Sequence, residues 1–144
     1  MKIDHVAIWT HNLENLKNFY VKYFGAEVND KYVSEKEFNG RFESYFLSFG
    51  PGSRLELMEL QSILQSDNAD GFEATGLTHI AFSIESAEEL DRLFIFLKNG
   101  GNTIVGKPHI TGDGYYEACV LDPDGNRVEI TVTPDIHLQN AAQY

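Results

Sequence analysis

The sequence predicts an α+β protein made of two tandem βαβββ modules, each a mixed sheet with its helix on the outside. Three observations lead there. The tetrapeptide His5-Val6-Ala7-Ile8 returns as His79-Ile80-Ala81-Phe82, 74 positions later. Each copy runs through a short polar stretch into an amphipathic segment. Each half then closes on two apolar runs joined by a Pro/Gly turn, and both closing runs carry the pattern Gly-x-Arg-x-Glu. Self-similarity of this kind marks a duplicated structural unit.

The elements follow in order. In the first half Leu13, Leu16, Phe19, Tyr20, Tyr23 and Phe24 recur at helical spacing, with Asn12 as the expected N-cap and Gly25 as the stop. In the second half Leu90, Leu93, Phe94 and Leu97 recur likewise. Ser86-Ala87-Glu88-Glu89 reads there as a capping box, with Gly100-Gly101 ending the helix. The closing strands of the first half are Tyr45-Phe46-Leu47-Ser48-Phe49 and Arg54 through Leu60, joined through Gly50-Pro51-Gly52. Their counterparts are Ala118 through Leu121 and Arg127 through Val132, joined by Asp122-Pro123-Asp124-Gly125. Pro followed by Gly between apolar runs is turn chemistry. Module one is thus 1–60, a polar connector fills 61–76 with room for one short helix, module two is 77–133, and 134–144 is a tail or final helix.

Composition narrows the function classes. With 22 acidic against 11 basic residues the net charge is −11, a surface that repels phosphate backbones, so nucleic acid is not the expected partner. No run is long and apolar enough to span a bilayer. The opening residues lack the basic stretch and apolar core of a secretory signal, and the single Cys119 suits a reducing compartment, so the expected location is the cytoplasm. Cys119 lies in a strand-like run and reads as a structural thiol, not a nucleophile.

The repeat also singles out four residues. His5 and Glu56 are 51 positions apart, and His79 and Glu129 are 50 apart. A first-strand histidine and a last-strand glutamate therefore occupy matching places in each half. In Arg54-Leu55-Glu56-Leu57-Met58 the leucines face one side of the strand and Glu56 the other. A carboxylate on the enclosed face of an apolar strand is costly unless paired or metal-bound. Singly, a strand histidine is more often a core residue and a strand glutamate a solvated one; repetition of the pair carries the reading. Two imidazoles and two carboxylates suit a divalent ion such as Ni, Zn, Co, Mn or Fe. His11, His109 and His137 have no repeat partners and are expected at the surface or in support.

These residues bring the chain close to a known family. The opening Ile3-Asp4-His5-Val6-Ala7, the segment Leu55-Glu56-Leu57, the string Gly76-Leu77-Thr78-His79-Ile80-Ala81-Phe82 and the run from Leu121 to Ile130 resemble the vicinal oxygen chelate superfamily, and more closely its glyoxalase I-like branch. The resemblance implies two modules whose curved sheets form a cup around a metal, commonly in a homodimer. It matches the metal ligands to His5, Glu56, His79 and Glu129. It implies a lyase/isomerase whose small-molecule substrate is the hemithioacetal of a 2-oxoaldehyde and a thiol cosubstrate. The metal would stabilise an enediolate, and Glu56 and Glu129 would share the acid and base roles.

One departure stands out. Where glutathione-using relatives place an arginine four residues after the first metal histidine, this chain has Trp9, which cannot pair with a carboxylate. Trp9 either walls a more apolar pocket or is ordinary core packing. Arg54 and Arg127 lie two residues before the glutamates on the same strand face, where they steer anionic groups, pair with carboxylates or reach solvent. The glycine-rich Thr111-Gly112-Asp113-Gly114-Tyr115 is expected as a mobile loop at the pocket mouth, with Tyr115 toward substrate. Two other activities of the same fold compete: a metal-dependent thiol transferase of the fosfomycin-resistance type, against which Glu56 argues, and a non-catalytic binder of the bleomycin-resistance type, against which the full ligand set argues.

Overall fold

The computed structural model describes residues 1–36, 40–64 and 75–132. The chain divides into two compact units, Met1–Asp70 and Gly71–Tyr144. The polar segment from Ser66 to Gly71, most of the span in which the connector helix was expected, and the tail from Pro134 with His137 lie outside the described residues.

Unit 1 runs β1 (His5–Thr10), α1 (Leu13–Phe24), β2 (Glu27–Val28), β3 (Tyr32–Ser34), β4 (Phe42–Ser48) and β5 (Arg54–Leu60). Its sheet has the order β1-β5-β4-β2, with β3 also paired to β4. The second strand of the expected βαβββ unit is therefore split into two short pieces. The β1/β5 pair is parallel and the remaining pairs are antiparallel. Helix α1 begins where the Asn12 side chain accepts the Asn15 amide at 3.1 Å, and it ends at Gly25 with φ 65°, a left-handed position that favours glycine. Glu59 adds a second brace at its start by accepting the Leu13 amide at 2.9 Å. Leu13, Leu16, Phe19 and Tyr20 bury one face of the helix, and Leu47, Leu55 and Leu57 are buried on one face of β4 and β5. Fully burying each such side chain contributes about 1.5–3 kcal/mol.

Unit 2 runs β6 (Ile80–Ser83), α2 (Ala87–Asn99), β7 (Ile104–Ile110), β8 (Tyr116–Leu121) and β9 (Arg127–Val132), in the sheet order β6-β9-β8-β7. Here βαβββ holds without a split, and β6/β9 is again the parallel pair. Ser86 caps α2 by accepting the Glu89 amide at 3.2 Å, while the Glu89 carboxylate takes the Glu85 amide, one residue before the cap. Leu90 and Leu97 are fully buried, as are Ala118, Val120, Val128 and Ile130 of β8 and β9.

Two turns in unit 2 set the strands that matter for chemistry. Between β8 and β9 the buried Asp122 carboxylate accepts the amides of Asp124 and Asn126 and the Asn126 side-chain amide, at 3.0, 2.9 and 2.9 Å. Between β7 and β8, Thr111 and Tyr115 exchange backbone and hydroxyl hydrogen bonds of 2.8 to 3.2 Å, and Gly114 donates to the Thr111 carbonyl. The glycine-rich segment, expected as a mobile loop, forms a hairpin turn closed by these hydrogen bonds.

Strand β7 is irregular. Its register against β8 shifts between Ile104 and Gly106 and again between Gly106 and His109. Gly106 pairs with Cys119 and His109 with Glu117, so β7 advances three residues while β8 moves two. The extra residue of such a bulge re-aims the side chains beyond it.

Candidate metal centre

The four expected ligands fall into two pairs, one in each unit, with the same construction. In unit 1, Ala7 on β1 pairs with Glu56 on β5, and His5 lies two residues before Ala7 on the same face. In unit 2, Ala81 on β6 pairs with Glu129 on β9, and His79 lies two residues before Ala81. The small alanine beside each glutamate leaves its carboxylate room on the sheet face. The His5 Nε2 to Glu56 Oε2 distance is 3.6 Å, and the His79 Nε2 to Glu129 Oε2 distance is also 3.6 Å. Exposure matches as well: 40% and 15% for the first pair, 42% and 19% for the second.

The hydrogen bond behind His5 decides what that pair offers. His5 Nδ1 lies 3.0 Å from Asp4 Oδ2. Asp4 also takes Arg54 at 2.6 Å. The hydrogen bond to His5, and next that from Arg54, lowers the pKa of its carboxyl below the ordinary 3.8. A carboxylate can only accept, so the neutral ring carries its proton on Nδ1, and Nε2 turns a lone pair toward Glu56. Two lone-pair donors 3.6 Å apart repel unless a proton or a metal cation stands between them, and a carboxylate behind the imidazole is the usual brace of a metal-bound histidine. Each pair, an imidazole and a carboxylate, is a donor set that fits a divalent ion. Within each unit, among the described residues, no third His, Cys, Asp or Glu completes a metal-holding group with the pair.

Glu129 differs from its counterpart in its surroundings. Burial raises its pKa above the ordinary 4.5, repulsion from Glu117 adds to this, and His79 opposes it. Cys119 pairs with Glu129 across β8 and β9, so its half-buried thiol lies on the face that carries the glutamate. Burial, with the charge of Glu129, pushes that thiol up, which suits the inert role expected of it.

A family model for the glyoxalase/bleomycin resistance protein/dioxygenase superfamily matches residues 2–130. The chain belongs to this superfamily. Among curated superfamily relatives, the lactoylglutathione lyase of Escherichia coli O157:H7 is 26% identical over 141 residues, covering 94% of this chain and 95% of that protein. A glyoxalase family protein from Bacillus cereus superposes with a TM-score of 0.77 at 19% identity, covering 92% of this chain and 93% of that one. One from Enterococcus faecalis gives 0.68 at 28% identity, covering 90% and 96%. The tandem α+β fold is therefore the superfamily fold.

The other expected site residues spread over both units of this superfamily member. Trp9 pairs with Met58, on the face of His5 and Glu56, and meets Phe42 edge to face at 6.1 Å. It is 40% exposed, so of its two readings the wall of an open face fits better than a closed core. Arg54 is held by Asp4 and lies over the Phe46 ring at 4.5 Å, which places it behind His5 as a brace. Arg127 pairs with Leu121 on the face of Glu129. The Tyr115 backbone closes the β7–β8 turn. Asp4 was missed in the sequence, although its place directly before the repeated histidine was a signal. No helix among the described residues is long and apolar enough to cross a membrane.

Proposed function

We propose that this chain is a metal-dependent lyase of the glyoxalase I type, acting on the hemithioacetal of a 2-oxoaldehyde and a thiol. His5 with Glu56, and His79 with Glu129, are its metal ligands, each pair supplying one imidazole and one carboxylate. The observation that supports this best is the pair of His–Glu half-sites in one register and at one separation, 3.6 Å. A bound divalent ion would supply Lewis acidity toward two neighbouring oxygens. The protein's own work is then proton transfer. One glutamate takes the proton from C1, a proton reaches C2, and the C1 hydroxyl becomes the thioester carbonyl, so atoms and electrons balance with no external oxidant. Asp4 keeps the His5 ring oriented, and Trp9 with Phe42 offers an apolar wall where a carboxylate anchor is absent.

The test is metal content and turnover together. The protein, stripped and reconstituted with Ni, Co, Zn or Mn, should bind one ion per chain and convert methylglyoxal adducts of at least one thiol. Wild-type metal affinity in Glu129→Ala would remove the site. Stoichiometric metal without turnover of any thiol adduct would leave the site and remove the reaction.

A further inference from the structure

A third histidine–glutamate pair lies in unit 2, outside the proposed ligand set. His109 on β7 and Glu117 on β8 are register partners, and His109 Nε2 lies 3.8 Å from Glu117 Oε1. That is beyond hydrogen-bond length. His109 Nδ1 lies 3.0 Å from the Lys107 carbonyl, which can only accept. The neutral ring therefore keeps its proton on Nδ1 and turns an Nε2 lone pair to the Glu117 carboxylate. As in the half-sites, two acceptors face each other across a gap that asks for a positive or proton-bearing group.

The row continues inward. Glu117 pairs with Thr131, and Thr131 with Ser83, so Ser83, Thr131, Glu117 and His109 cross the sheet on one face. This is the face of Glu129, one row further along the strands, about 6–7 Å away. Thr131 is 7% exposed, yet its hydroxyl has no hydrogen-bond partner among the described residues. Buried hydroxyls are normally satisfied, and an orphan calls for an account. From floor to rim the row thus offers a buried hydroxyl, a partly buried carboxylate (23% exposed) and an imidazole lone pair (56% exposed). The bulge between Gly106 and His109 sets both residues on this face, where regular alternation would part them.

We infer that this row is a recognition site for a cationic, N–H-donating group on the substrate, the ammonium of an amino thiol in preference to a carboxylate. The row has acceptors at three depths and no lysine or arginine. A carboxylate would meet Glu117 head on, whereas an ammonium has three donors for the Thr131 hydroxyl, the Glu117 carboxylate and His109 Nε2. The inference rests on the proposed reading in taking this face as the substrate face, and it makes His109, Glu117 and Thr131 specificity residues, not catalytic ones.

The test uses three thioethers of equal reach on the purified protein near neutral pH: 2-(methylthio)ethylamine, 2-(methylthio)ethanol and 3-(methylthio)propionate. The His109 ring signal is followed by NMR, a readout that needs neither bound metal nor turnover, so this inference and the lyase reading fail separately. The amine should shift the signal saturably and bind at least ~10-fold tighter than the propionate, a ratio within reach of one charge-assisted contact. Glu117→Gln should erase the preference, and Thr131→Val should weaken amine binding about 3-fold. Equal or tighter binding of the propionate, or no shift with any of the three, overturns the inference.

Discussion

The two units carry matching His–Glu pairs on unmatched faces. In unit 1 His5 is braced: Asp4 holds Nδ1, Arg54 holds Asp4, and the Phe46 ring meets the imidazole edge-on at 5.4 Å. In unit 2 no side chain plays the part of Asp4 for His79 among the described residues; Thr78 stands in the corresponding place. Around Glu56 the open face is aromatic, with Trp9, Phe42 and Phe46. Around Glu129 it is ionisable, with Cys119, Glu117, Arg127 and His109. What the repeat preserves is donor type, register and separation within each pair. What it releases is everything that would sort substrates, so one unit is suited to apolar contact and the other to polar recognition.

The comparison can be broken or sharpened by substitution, beginning with the cores. Leu16→Ala and Leu97→Ala each empty a fully buried helix position, and each should cost about 2–5 kcal/mol in urea denaturation. A cost under about 1 kcal/mol for either would mean that its helix is not seated as described. At the site, Glu56→Ala and Glu129→Ala should each weaken metal binding by more than ~100-fold in a chelator-competition titration, because on the proposed reading each removes a direct ligand, where the loss of a mere support costs 10–100-fold. A large effect for one and none for the other would deny that the half-sites are equivalent. Asp4→Asn should weaken binding by about 10–100-fold through the lost brace. Thr78→Val should leave it within about 2-fold, and equal effects would erase the asymmetry between the units.

The smallest effect belongs to a surface network found in unit 1. Hydrogen bonds from Lys17 and then Lys31 hold the Glu14 carboxyl at about 2, against an ordinary 4.5. Its pKa is depressed in the folded state, so its contribution is complete above the unfolded value and fades as pH falls from about 5 toward 2. Glu14 is 49% exposed, which limits that contribution to under about 1 kcal/mol. In thermal melts Glu14→Gln should lose less stability than wild type between about pH 5 and pH 3. An identical acid limb in the two proteins would show that the network contributes nothing.

Much of this was legible in the chain. The repeat gave away the duplicated fold because His5-Val6-Ala7-Ile8 and its copy occupy the same structural place, and Asn12, Gly25 and Ser86 cap the helices as their chemistry dictates. The His–Glu spacing led to both half-sites because strand alternation fixes which face a residue takes. Edge strands were harder. β2 and β3 have two and three residues, too short to show alternation. β4 begins at Phe42, three residues before the apolar run at Tyr45, because Phe42, Glu43 and Ser44 pair with β3 on one side and β5 on the other. β7 carries Gly106 and Pro108, residues that read as a loop, and its bulges conceal the face on which His109 falls. The Asp4 brace and the His109–Glu117 row depend on such geometry, which single-sequence periodicity does not encode.

The bulge in β7 has a consequence for how such a protein can change. In a regular strand a new side chain reaches the working face by point substitution. Here the bulge absorbs a residue: removal of one between Gly106 and His109 would give a regular strand with His109 still opposite Glu117, and the strands on either side untouched. A change of one residue in length at this edge strand would therefore be taken up locally, a tolerance that leaves the face, the paired half-sites and the core as inherited.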